Sequence, residues 1–329
     1  MINNSFLEKN MNVFKASIVS FVIAAMVAPN FAMAEDNWVD VYGKIILSLD
    51  KVDEDNGDDQ WELNSHASRF GVKGFGEAGD LEAFYQLEWE VDLADKSKGS
   101  EDNIKSRNQV VGIRGGFGEV FAGRHDTPTK RLQKKIDIFG DLDGDIKNSF
   151  NAENRLNNIV QYSTPKMNGF KAKLAFIPGE DSGNEDGIAD STSFALEFNS
   201  GNLNLGLSFD TDVDGINVDT ARFVTQYNLD SWQFGFMYQD TDNEGVSGDG
   251  FMLSTKYKTG KHSLKLQLIE SDSWEAGVSS KVKYTSQTSV GWDYKLGDKT
   301  TFFSYITLSE EGATEDEDSV FGFGLIQKF

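Results

Sequence analysis

Few side chains in this sequence have the type and spacing to do chemistry. Its 329 residues hold three histidines, His66, His125 and His262, and no cysteine. The histidine spacing suits no zinc motif. Serines and aspartates are plentiful, yet no nucleophile signature surrounds them, and no glycine run has the form of a phosphate cradle. Residues 210–221, "DTDVDGINVDTA", place Asp210, Asp212, Asp214 and Gly215 like the first half of a calcium loop. Ala221 stands where the bidentate glutamate belongs, and "DTDNEG" from Asp240 fails similarly. The expectation is no catalytic residue, no cofactor and no fixed metal site. Acidic stretches at 51–67 and 309–319 would instead collect divalent cations loosely. A net charge of −22 disfavours nucleic acid as a partner.

The elements able to position polar groups follow a period of two. In "WVDVYGKIILSLD", Val39, Val41, Ile45, Leu47 and Leu49 share one face, and Asp40, Tyr42, Lys44, Ser48 and Asp50 share the other, with Ile46 out of step. In "LEAFYQLEWEVD", Leu81, Ala83, Tyr85, Leu87, Trp89 and Val91 alternate with Glu82, Phe84, Gln86, Glu88, Glu90 and Asp92. "SWQFGFMYQD" sets Trp232, Phe234, Phe236 and Tyr238 against Gln233, Gly235, Met237 and Gln239. About sixteen such segments follow one another, joined alternately by short turns and long loops, residues 51–67, 240–249 and 271–286 among the long ones, which is the pattern of an up-and-down barrel crossing a membrane. A mean hydropathy of −0.43 is compatible with that, because only every second residue of such a strand is apolar.

Residues 1–34 read as a secretory signal peptide: Lys9 and Lys15, an apolar run to Ala28, then Pro29 and Ala32-Met33-Ala34 before the cut. The run is too short to span a bilayer as a helix. Translation could begin at Met1 or Met11. Residues 35–329 form one domain, an all-β transmembrane antiparallel barrel. Backbone groups in lipid need partners, so the sheet must close and the last strand must pair with the first. That accounts for the apolar, alternating end "VFGFGLIQKF", with Phe321, Phe323, Leu325 and Phe329 directed outward.

In order and spacing, several stretches together resemble the trimeric general diffusion porins of Gram-negative outer membranes. They are "DVYGKI", "SRFGVKGFGEAGDLEAFYQLEWEVD", "SRNQVVGIRGGFGEVFAGRHDTP", "NRLNNIVQYSTPKMNGF" and the terminal phenylalanine. The resemblance implies sixteen strands and a homotrimer among outer-membrane lipid and lipopolysaccharide, inserted by the barrel assembly machinery with Phe329 as its signal. It also implies a long third loop, within residues 124–156, folded into the lumen. Basic residues on the wall, Lys44, Arg69, Arg107 and Arg155, would face acids of "KKIDIFGDLDGD", chiefly Asp137 and Asp141, with Asp143 and Asp145 behind them. The "PEFGG" turn of some family members is absent. Strand parity independently turns Lys44, Arg69 and Arg155 inward; Arg107 rests on the resemblance. The implied function is passive diffusion of ions and small hydrophilic solutes, with a weak cation preference set by the acidic rim. A substrate-selective channel, a barrel enzyme and a secreted calcium-binding adhesin are the alternatives. An enzyme would need a histidine beside a serine or aspartate at the rim. An adhesin would need neither the apolar outer face nor the terminal phenylalanine.

Overall fold

The computed structural model describes residues 38–53, 59–94, 103–133, 136–179, 187–274, 282–311 and 316–329. The signal-peptide stretch and the acids Glu54, Asp55, Asp58 and Glu315 lie outside the described residues.

Among the described residues, the first half of the chain gives β1 (Trp38–Asp53), β2 (Gln60–Ser65), β3 (Arg69–Ala78), β4 (Leu81–Val91), β5 (Ile104–Gly115), β6 (Gly118–Asp126), β7 (Arg155–Ser163) and β8 (Phe170–Ile177). The second half gives β9 (Ser191–Ser200), β10 (Leu203–Thr211), β11 (Val218–Leu229), β12 (Trp232–Asn243), β13 (Val246–Thr259), β14 (His262–Trp274), β15 (Val282–Lys295), β16 (Thr300–Glu311) and β17 (Asp316–Lys328). Each pairs antiparallel with its neighbours, and β17 pairs back onto β1 in a register that sets Leu47 opposite Leu325. Strands β2 and β3 are two parts of one stave. Both pair with β1, β2 through Leu47–Ser65 and β3 through Lys44–Arg69. The ring therefore has sixteen staves and no open edge.

The break between β2 and β3 falls at His66, Ala67 and Ser68. Ala67 takes a positive φ of 47°, which interrupts the ladder. Ser68 repairs it: its hydroxyl accepts the Ile46 N–H at 2.9 Å and donates to the Ile46 carbonyl at 3.1 Å.

Alternation sorts the two faces. Val39, Val41, Phe209, Phe234, Leu264 and Phe321 are exposed large apolar residues on the outer face, a surface that only lipid would cover at this extent. Aromatic pairs gather toward the short-turn ends of the strands. Trp232 lies 4.5 Å from Tyr257, and Phe170 lies 4.6 Å from Phe198, ring centre to ring centre. This is the interfacial position that amphipathic rings favour.

Three expectations about connections need correction. Residues 240–249 are not a long loop: β12 and β13 stay paired up to Asn243↔Val246 and turn at Glu244-Gly245, both with positive φ. Residues 51–67 likewise contain β2, and 271–286 contain paired ends of β14 and β15. Beyond the bilayer both faces of a hairpin meet water, so hydropathy no longer alternates while the backbone ladder continues.

Inside the ring, loop 3 (residues 127–154) packs against part of the wall. Ile136, Ile146 and Phe150 cluster with Val224, Met237, Met252 and Ile269. Ile138, Phe139 and Leu142 cluster with Ile46, Phe303 and Tyr305. These wall residues face opposite to the exposed apolar set, so loop 3 lies on the inner face. Ile46, out of step in the sequence, is out of step because it meets this loop.

Candidate functional site

Loop 3 leaves β6 through a short helix, α1 (Pro128–Leu132). Thr127 caps it by accepting the Lys130 N–H at 3.2 Å, and the proline sits where no N–H is needed. Further on, a 3-10 turn at Ile146–Asn148 is capped by Asp145, whose carboxylate accepts the Lys147 N–H at 2.9 Å and the Asp141 N–H at 2.8 Å. The second of these bonds helps hold Asp141 at φ 72°, a left-handed conformation that aspartate tolerates better than most residues.

Polar side chains of the wall satisfy the loop backbone. Ser254 donates to the Ile136 carbonyl at 2.7 Å, and Ser271 to the Ser149 carbonyl at 2.6 Å. Gln267 accepts the Ile138 N–H at 3.1 Å and donates to the Gly144 carbonyl at 2.7 Å. The end of the loop is clasped by Arg222 of β11. Its guanidinium reaches Glu153 Oε1 at 2.7 Å, the Asn151 carbonyl at 3.0 Å and Gln239 Oε1 at 2.8 Å. Asp214, in the connection between β10 and β11, accepts the Ala152 N–H at 3.0 Å and Asn154 Nδ2 at 2.6 Å. Asp210 accepts the Thr129 hydroxyl, and Asp212 accepts the Asn217 N–H at 2.8 Å. The carboxylates that resemble half a calcium loop thus turn to separate partners, and two of them hold loop 3. Burial raises the Asp214 carboxyl above its ordinary value, against the pull of its two donors.

Where the loop crosses the lumen, Asp141 meets the wall. Its carboxylate lies 2.7 Å from Lys44 Nζ on β1 and 2.8 Å from Arg69 Nη2 on β3. Burial alone would raise this carboxyl, but the neighbouring Arg69 and Lys44 outweigh it and hold it well below the usual carboxylate range. Arg107 and Arg155 do not reach the loop acids. Arg107 pairs with Glu88 at 2.8 Å and with Glu90, both on β4. Arg155 pairs with Asp126 at 2.9 Å and donates to Asn108 at 2.9 Å. Asp137, expected to face the same basics, stands apart: it accepts the Phe139 N–H at 3.2 Å. Among the described residues no cation lies within ion-pair distance of it. Burial first, and the nearby Asp145 and Glu153 second, raise its carboxyl well above the ordinary value. Asp145 serves the loop backbone, and Asp143 turns to Tyr305.

Sequence reasoning passed over Glu88, Glu90, Asp126, Arg222 and Glu153 as partners. The signal for Glu88 and Glu90 was present in their parity, inward on the strand before Arg107. Nothing local pairs Arg222 with Glu153, 69 residues apart.

Loop 3 covers the inner wall formed by β11–β16, where Met237, Met252 and Gln267 have at most 1% of their surface exposed. Lys44, Arg69, Arg107 and Arg155 keep 12–21% of their side-chain surface. The wall of β1–β7, where these charges of both signs stand, is thus less covered than the wall under loop 3.

A family model described as Gram-negative porin matches residues 21–314. The outer membrane porin protein 32 of Delftia acidovorans is 26% identical over 323 residues, covering 89% of each chain. A major outer membrane protein P.IB of Neisseria meningitidis is 22% identical, covering 96% of this chain and all of that one. Among solved structures, an anion-selective porin from Comamonas acidovorans superimposes with a TM-score of 0.72 at 20% identity, over 89% of this chain and 100% of its own. Salmonella typhi OmpF gives a TM-score of 0.70 at 12% identity, over 89% and 98%.

Proposed function

This chain belongs to the Gram-negative porin family, and from that premise we propose that it admits ions and small hydrophilic solutes by passive diffusion, with a weak preference for cations. Membership makes it an outer-membrane channel for small solutes and not an enzyme. The finer reading rests on one observation, the near-cancellation of charge along the uncovered wall. Lys44 and Arg69 share Asp141, Arg107 meets Glu88 and Glu90, and Arg155 and Lys130 share Asp126. Opposed charges across a narrow wet gap orient dipolar solutes and ordered water without excluding either sign of ion, while apolar solutes must disrupt that water.

With the gap close to balanced, the rim decides. Asp53, Asp59 and Glu62 on one hairpin, and Glu310, Glu317 and Asp318 on another, stand at the long-loop end. They enrich cations at the entrance, an effect screened beyond about 8–10 Å at physiological salt. The cation preference is therefore strongest at low salt. Reversal potentials of the reconstituted channel under a KCl gradient test this. The similar Comamonas protein is described as anion-selective, and an anion-favouring potential at low salt would overturn the reading.

The same resemblance supports a homotrimer embedded in outer-membrane lipid and lipopolysaccharide, placed there by the barrel assembly machinery through Phe329. Cross-linking of the detergent-extracted protein that saturates at monomer would remove the trimer.

A further inference from the structure

We propose that Asp50, His66 and Asp143 form a binding site for a divalent transition-metal ion of the zinc class, which would pin loop 3 to the barrel wall beside the constriction. One ligand atom from each residue can be chosen so that all lie within 4.8 Å of one another. The three come from separate parts of the fold: Asp50 from β1, His66 from the break between β2 and β3, and Asp143 from loop 3. Ligands on one zinc ion, bonded at about 2.0–2.2 Å, stand roughly 3–4 Å apart, so small side-chain rotations bring the set onto a single ion. One imidazole with two carboxylates suits zinc and its neighbours, whereas calcium and magnesium prefer oxygen alone.

The hydrogen bonds within the cluster point the same way. Ser48 has one hydroxyl proton and lies 2.7 Å from Asp50 Oδ2 and 2.5 Å from His66 Nε2. Tyr305 has one hydroxyl proton and contacts both Asp50 Oδ1, at 3.3 Å, and Asp143 Oδ2. His66 Nε2 itself lies 3.2 Å from Asp50 Oδ2, so two of the three ligand atoms already face one another, and the imidazole's tautomer sets which of its contacts it donates. Asn64 adds one donor, to Asp50 Oδ2 at 2.8 Å. Among the described residues no lysine or arginine pairs with either carboxylate. Two carboxylates and a neutral imidazole would balance one divalent ion. Tyr305 and Ser48 would then orient the carboxylate ligands from behind, as outer partners of metal sites do.

Asp50 is buried, while His66 and Asp143 keep partial access, so an ion arriving through the lumen can reach the site. Bound there, it would fix Asp143, two residues from Asp141, and so fix the distance between loop and wall.

The test is titration of the folded, detergent-solubilised protein with Zn²⁺ by calorimetry, and with Co²⁺ by its visible absorbance. The expected result is a single saturable site at neutral pH that Mg²⁺ does not displace. His66→Ala should weaken Zn²⁺ binding by about tenfold or more, and Asp143→Asn should weaken it similarly. Heat-modifiable gel migration verifies that each variant is a folded barrel. Absence of saturable binding in the unaltered protein, or equal affinity in a folded variant of either kind, overturns the proposal. Binding is read without current, so failure here leaves the diffusion reading standing.

Discussion

Arg222 on β11 and Glu153 near the end of loop 3 meet at 2.7 Å, with the arginine side chain fully buried. Gln133 also donates to Glu153, at 3.0 Å, so the pair joins both ends of the loop to the wall. Breaking a buried pair from one side costs roughly 3–5 kcal/mol, because the remaining charge loses its partner. The backbone ladder of the barrel does not depend on it. Arg222→Met should therefore loosen loop 3 without unfolding the sheet. Single-channel recordings should show larger and noisier conductance from a barrel that still migrates as folded. Unaltered, quiet currents would show that the loop is held by its apolar contacts alone.

Asp141 and Arg69 should move selectivity in opposite directions. Asp141→Asn keeps a residue that tolerates positive φ and removes one negative charge, so the reversal potential should shift toward anions. Arg69→Ala should shift it toward cations and widen the gap. Glu90→Gln should shift it toward anions without touching loop 3, since Glu90 pairs with Arg107 on the wall. A potential that stays fixed in all three variants would mean that these charges do not border the conducting path.

Acidification should spare the Asp141 tether until the pH lies well below the ordinary carboxylate range. An unperturbed carboxyl titrates at about pH 4. Asp141 is held below that value by Arg69 and Lys44 despite its burial. A carboxyl depressed in the folded state adds stability above its unfolded value and loses it as pH falls through its folded value. The tether to Lys44 and Arg69 should thus survive as pH falls through the ordinary carboxylate range. Recordings at high salt should keep their conductance through that range. A change of conductance there would place Asp141 in the ordinary range.

Removing Phe329 should impair assembly. Its N–H donates to the Gly43 carbonyl at 3.1 Å and its carbonyl accepts the Gly43 N–H at 3.2 Å. Its ring occupies the space over Gly43, where an added Cβ would come within 2.2 Å of it. Deletion costs the closing seam two backbone bonds and an outward aromatic contact. The expected result is less folded protein in the outer membrane and more unfolded chain in the periplasm. Gly43→Val should give a milder version of the same defect. Normal outer-membrane levels of the truncated protein would rule out the role.

The barrel was readable because lipid on one side and water on the other force every second residue to be apolar. Where that contrast fails, so does the reading. The hairpin around Glu244-Gly245 stands in water on both faces, and its strands looked like a loop. Inward apolar residues such as Met237, Met252 and Phe303 break the contrast between the faces, and they mark the footprint of loop 3. Lys44 and Arg69 could be named because parity and family resemblance coincide there, whereas Asp141 rested on the resemblance alone. Asp137 could not be told from Asp141, since the two lie on one irregular segment whose turn at positive φ decides which carboxylate faces the gap. The grouping of Asp50, His66 and Asp143 had no local signature, because it forms only when the loop docks.

The pairing of β1 with β17 also sets a schedule. Lys44 and Lys328 are neighbours across the seam but nearly a full chain length apart in synthesis. Contacts of such separation form late, after a large loss of chain entropy. Until they form, the sheet has two raw edges and an apolar flank with no lipid against it, the surfaces that drive strand-to-strand aggregation. A protein built this way cannot safely finish folding in bulk water. Its last step has to be taken at the membrane, with the final strand arriving there still unpaired.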